Sequence, residues 1–210
     1  MTAPSADVLT HAAVESRLPH RGALRINASE FAREWWIRGG EASQGVPLIW
    51  GRAAELGQLA RAARAWHEGG SLSDIRRVAP FVLMTGRFEV PDGDPVRLAE
   101  SEWQGLRKEA GEVAVPGYRA LVERAYAEPA LRGLYPFRDR WVLYFSTTTR
   151  PDLTVTGPCL RAYDVDRFTV RGAFADRDVL TETATARDAV AVAVRHLPSG
   201  LGPVTSGAPR

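Results

Sequence analysis

Phe31-Ala32-Arg33-Glu34-Trp35-Trp36-Ile37-Arg38-Gly39-Gly40 is the stretch on which the fold reading turns. Phe31, Arg33, Trp35 and Ile37 fall on one side of it. Ala32, Glu34, Trp36 and Arg38 fall on the other, which is the period-two pattern of a strand. Gly39-Gly40 marks a turn, and residues 46–50 return as the partner strand. A helix is expected over 53–67, where Leu56, Leu59, Ala60, Ala63 and Trp66 make one stripe and Arg61 and Arg64 lie elsewhere. Sequential antiparallel strands followed by a covering helix make the fold class α+β, an antiparallel sheet or sheets covered by helices on one side.

A second stretch reads the same way. Thr169-Val170-Arg171-Gly172 leads through a weak strand at 179–183 to a helix over 185–196, much as Trp36-Ile37-Arg38-Gly39 leads to the helix ending at His67. Residues 31–67 and 167–197 therefore read either as a pseudo-repeat or as two unrelated hairpin–helix units. Between them come a short helix at 71–78 capped by Ser71, an extended run within 81–90, and a turn at 91–95. Two amphipathic helices follow. The first shows Val96, Ala99, Trp103, Leu106 and Ala110 on one face; the second, after Pro116, shows Tyr118, Leu121, Val122, Ala125 and Tyr126. Strands are expected at 141–147, 158–163 and 167–172. Ahead of all this, Val8, Leu9, Ala12, Ala13 and Ser16 suggest a helix over 6–17, closed by Leu18-Pro19. The expected organisation is an N-terminal helix within 1–20, a single α+β domain over 21–197, and a flexible Gly/Pro/Ser-rich tail over 198–210.

Composition narrows the classes. With 45% hydrophobic and 25% charged residues the chain matches an ordinary soluble domain and not a disordered one. One cysteine, Cys159, leaves no intramolecular disulfide. The first ten residues lack a basic region followed by an apolar core, and apolar runs such as 79–84 fall short of a span, so the expectation is a cytoplasmic protein with no membrane partner. A net charge of +2 from 27 basic and 25 acidic residues gives no grip on a phosphate backbone, and no nucleic-acid partner is expected.

Chemistry-bearing residues are sparse. His11, His20, His67 and His196 are scattered, and His67 and His196 close helices, where the dipole favours a cation. Cys159 follows Gly157-Pro158 at a strand start and reads as packing more readily than as a nucleophile. There is no Gly-x-Ser-x-Gly elbow and no nucleotide loop, and Lys108, the one lysine, lies mid-helix. Asp92 and Asp94 sit in a turn. Ser146 to Arg150 put hydroxyls and a guanidinium at a strand end. No metal or cofactor is expected, and no catalytic residue is assigned. The aromatics say more: Trp35 and Trp36 send indoles to opposite sides of one strand. If Trp35 faces the core, Trp36 and Arg38 form a contact surface, to which Tyr144 and Arg161 add from the second sheet region. The competing reading places a helix over that face and Trp36 in the core.

Several segments, among them Gly51-Arg52-Ala53-Ala54-Glu55-Leu56, 65–69, 83–90, 101–103, 127–136, 145–151 and 196–203, resemble a bacterial family catalogued as natural-product biosynthesis proteins with a domain of unknown function. The likeness runs over about residues 30 to 205. It implies an association with secondary metabolism and brings no catalytic residues with it. The expected function is an accessory or tailoring protein that binds a small-molecule or peptide intermediate through Trp36, Arg38, Tyr144 and Arg161. The alternative is a non-catalytic protein–protein interaction module.

Overall fold

A computed structural model describes residues 10–172 and 178–207. It is α+β, with two five-stranded antiparallel sheets and, among the described residues, six helices. In place of one domain over 21–197, the chain divides into two compact units, Met1–Thr85 and Gly86–Arg210. The physical reason is that each sheet closes a hydrophobic core with helices of its own.

The first unit runs β1 (His11–Val14), β2 (Leu24–Ala28), β3 (Trp35–Gly40), β4 (Pro47–Ala53), α1 (Leu56–His67), α2 (Leu72–Val78) and β5 (Val82–Met84), with the strands in that order across the sheet. The helix expected over 6–17 is corrected here: His11–Val14 is a strand, with His11 opposite Asn27 and Val14 opposite Leu24. Ala12 and Ala13 favour a helix on their own, and the free edge of β2 supplies the backbone partners that override that preference. Residues 6–9 of that expected helix lie outside the described residues. The strand read from Phe31 begins at Trp35 instead. Residues 29–34 are the β2–β3 turn, in which the Ser29 N–H donates to the Glu34 carbonyl at 2.8 Å. Phe31 is 96% exposed.

Helices α1 and α2 cover one face of this sheet, and Leu24, Ile37, Ile49, Ala62, Trp66, Ile75 and Val82 fill the space between. The Ile37-Arg38-Gly39 sequence has a packing cause: a Cβ on Gly39 would stand 2.8 Å from two ring carbons of Trp66. Only glycine lets that indole reach the strand. Its Nε1 donates to the Gly22 carbonyl at 3.1 Å.

The second unit runs α3 (Pro95–Glu112), α4 (Tyr118–Tyr126), α5 (Pro129–Arg132), β6 (Tyr135–Asp139), β7 (Val142–Ser146), β8 (Val155–Asp164), β9 (Arg167–Arg171), β10 (Val179–Thr183) and α6 (Ala186–Arg195). Its strands lie in the order β10-β9-β8-β7-β6. Helices α4 and α6 pack on β8 and β9, while α3 lies against β6. The inner face presents Leu143, Phe145, Leu160, Phe168 and Val170 to Leu106, Leu121, Val122, Ala189, Val190 and Ala193. The tail over 198–210, expected to be flexible, docks through its described part. Thr205 donates to the Thr147 carbonyl and accepts from the Thr149 N–H, both at 2.9 Å. Val204 is buried beside Tyr135 and Phe137. One apolar side chain and a short parallel bridge give this segment partners that its Gly/Pro/Ser composition does not advertise. Both stretches that read alike are strand–strand–helix, β3-β4-α1 and β9-β10-α6. They differ in that α1 follows an inner strand of its sheet and α6 follows an edge strand. Among the described residues no helix is long and apolar enough to cross a membrane.

Candidate functional site

In the first unit, alternation along β3 and β4 sends Ile37, Gly51 and Ala53 inward and Trp36, Arg38, Trp50 and Arg52 outward. Register then sets the pattern of the outer face. Trp36 stands opposite Arg52 and Arg38 opposite Trp50, so indoles and guanidiniums alternate along and across the strands. Arg25 and Asn27 extend the two rows on β2, and Leu83 extends one on β5. All seven side chains are exposed, Trp36 at 41% and Trp50 at 40%.

The face carries excess positive charge. Arg52 lies over the Trp36 ring, 4.5 Å from its centre, and pairs with Glu34 at 3.3 Å. Arg38 donates Nη2 to the Gly45 carbonyl at 2.7 Å, which leaves the rest of its guanidinium for other acceptors. Arg25 has no ion-pair partner among the described residues. Arg25 and Arg38 also line a polar cleft of about 180 Å³ with Gly22, Gly40, Glu41 and Gly45, at one end of this face. An anionic group in the cleft and a flat or apolar body over Trp50 is the ligand such a surface suits.

The four residues expected to form one surface belong to two sheets. Trp36 and Arg38 share the outer face of the first unit's sheet. Tyr144 and Arg161 lie on the outer face of the second unit's sheet, where Tyr144 stacks on Phe137 with ring centres 5.2 Å apart, and Arg161 lies 4.3 Å from the centre of the Tyr163 ring. Arg25, Trp50 and Arg52 are the partners that sequence reasoning missed. Alternation along 46–52 would have placed Trp50 and Arg52 together, but only the strand register sets them beside Trp36 and Arg38.

The remaining chemistry-bearing residues have structural partners. Asp94 caps α3 through the Arg97 N–H at 2.8 Å, and Asp92 pairs with Arg97. Ser146 Oγ donates to the Thr148 carbonyl at 2.7 Å, and Thr148 Oγ1 to that of Asp152 at 2.6 Å, so these hydroxyls close their own turn. His67 and His196 each place Nδ1 against a backbone carbonyl, of Glu15 and Val192. Burial pushes the Cys159 thiol up, with Arg171 opposing in part, which keeps it from the thiolate form a nucleophile needs. Among the described residues there is no group of three or more His, Cys, Asp and Glu suited to a metal.

Residues 97–208, more than half of the chain, match the Family of unknown function (DUF6193). The chain belongs to this family. The DUF6193 match falls inside the second unit, so it includes Tyr144 and Arg161 but not Trp36 and Arg38. No curated protein and no solved structure matches the chain.

Proposed function

We propose that this protein is an accessory or tailoring protein of natural-product biosynthesis that binds a small-molecule or peptide intermediate on the outer sheet face of its first unit. The observation that supports this reading is the exposed alternation of Trp36, Arg52, Arg38 and Trp50, running into a cleft lined by Arg25 and Arg38. Tryptophan supplies apolar area with few degrees of freedom, and arginine supplies charge-assisted hydrogen bonds to carboxylate or phosphate. The link to secondary metabolism rests on the sequence resemblance.

Native mass spectrometry tests it. Protein incubated with a metabolite extract from cells that express it is expected to retain a bound species below the mass of a protein. The double variant Trp36→Ala/Arg38→Ala is expected to lose that species while keeping its circular dichroism spectrum. Equal retention by both proteins would remove this face from consideration. The breadth of the face, exposed across four strands from β2 to β5, favours a second reading as a protein–protein interaction module. A polypeptide that co-purifies with the native protein but not with the variant, with no small molecule bound, would support that reading instead.

A further inference from the structure

The outer face of the second unit's sheet holds a cluster that the first unit's surface does not explain. In the β8–β9 register Arg161 stands opposite Thr169, and Cys159 opposite Arg171. Leu160, Phe168 and Val170 face the core, so strand alternation puts the other four on the outer face together. Tyr163 holds both arginines: its ring lies under Arg161, and its hydroxyl accepts from Arg171 Nη2 at 3.3 Å. Three donors in this cluster are buried and have no hydrogen-bond partner among the described residues, namely Arg161 Nε, Arg171 Nε and Thr169 Oγ1. Thr169 is only 5% exposed. The carboxylate opposite it on β10, Glu182, is directed to Arg167, with 3.7 Å between Oε1 and Nε. Neither Arg161 nor Arg171 has a carboxylate partner among the described residues.

Buried polar groups are nearly always satisfied, so three such donors on two paired strands point to an acceptor that binds there. Two guanidiniums call for negative charge. A carboxylate takes one guanidinium edge-on in a plane, whereas these donors come from three side chains on two strands, an arrangement that suits a tetrahedral oxyanion. We propose that Arg161, Arg171 and Thr169 form an anion site for the phosphate-monoester group of a phosphorylated small molecule, with Tyr163 positioning the two arginines. The site uses none of the residues of the Trp36 face and stands or falls independently of it.

The test follows the Nε–Hε resonances of Arg161 and Arg171 in the full chain by ¹H–¹⁵N NMR, assigned with Arg161→Lys and Arg171→Lys. Inorganic phosphate, sulfate and acetate are titrated at constant ionic strength set with sodium chloride. Phosphate is expected to shift both resonances saturably, sulfate more weakly, and acetate not at all. Arg161→Lys keeps the charge but loses Nε, and is expected to weaken phosphate binding at least about tenfold. Thr169→Val is expected to weaken it several-fold, with backbone dispersion confirming the fold in each variant. Trp36→Ala/Arg38→Ala is expected to titrate like the native protein. Resonances that ignore phosphate, an equal response to acetate, or a lysine variant that binds as tightly as the native chain would each overturn the proposal.

Discussion

Arg87 and Glu102 form a buried bidentate pair in the second unit, with Nε–Oε2 and Nη2–Oε1 both 2.7 Å and side chains 14% and 5% exposed. Gly105 makes room for it, since a Cβ there would stand 2.7 Å from Arg87 Cγ. A buried pair of this kind adds little over an apolar replacement but is costly to break from one side. Glu102→Ala is therefore expected to cost about 3–5 kcal/mol in chemical denaturation, and Arg87→Met/Glu102→Leu to recover most of that loss. Glu100 lies on another side of α3. Burial works to raise its pKa, but hydrogen bonds from Tyr126, Gln104 and Arg132 outweigh it and hold the carboxyl below its ordinary value. A depressed folded pKa contributes stability that is present above the unfolded carboxylate range and lost as pH falls through the folded value. Thermal unfolding from pH 7 down to 3 should show the native protein losing this increment, and Glu100→Gln should flatten that part of the profile. At this scale the sequence was readable only where one strand sufficed. Alternation told that Trp36 and Arg38 share a side. It could not tell that Arg52 covers the Trp36 ring, because that contact crosses strands.

At the scale of elements, α1 is bound to its sheet by one side chain more than any other. Trp66 is fully buried, reaches Gly39, bonds to Gly22 and lies under the guanidinium of Arg21 at 4.7 Å. Trp66→Ala is expected to cost about 3–5 kcal/mol, read as a fall in the denaturation midpoint. Removal of residues 201–210 is expected to cost about 1.5–3 kcal/mol for the buried Val204 alone, measured the same way. The helices were legible because their stripes are long: α1, α3, α4 and α6 all lie where periodicity put them, with ends shifted by a few residues. Leu56, Ala60 and Val96 of the expected stripes are nevertheless exposed, and Ala62 is buried instead. The errors fall where local pattern is weakest. β1 has only four residues, two of them alanines that favour a helix, and owes its state to β2. β6 reads Tyr135-Pro136-Phe137-Arg138-Asp139, and its proline argues against a strand unless the strand lies at an edge, which is where β6 lies. The tail's docking depends on the Thr147–Thr149 backbone, dozens of residues away, and no window of sequence contains both partners.

At the scale of the molecule, the two units have separate cores, and the DUF6193 match begins inside the second one. The sequence match and the folding unit do not share a boundary. Residues 86–96 precede the match, yet Arg87 is the partner of buried Glu102, Ser101 Oγ both accepts from the Phe88 N–H and donates to its carbonyl, and Val90 is buried. A chain cut at the start of the match would leave Glu102 buried without its cation, the situation that costs most for an ion pair. Residues 86–210 expressed alone are expected to fold with one cooperative thermal transition and native-like near-ultraviolet circular dichroism. Residues 97–210 are expected to be less stable by at least about 3–5 kcal/mol, the price of the lost pair alone. Restoring stability to the shorter fragment with Glu102→Leu would assign the deficit to that carboxylate. A shorter fragment as stable as the longer one would show that the segment ahead of α3 is dispensable, and that the unit's true edge is the one the family match draws.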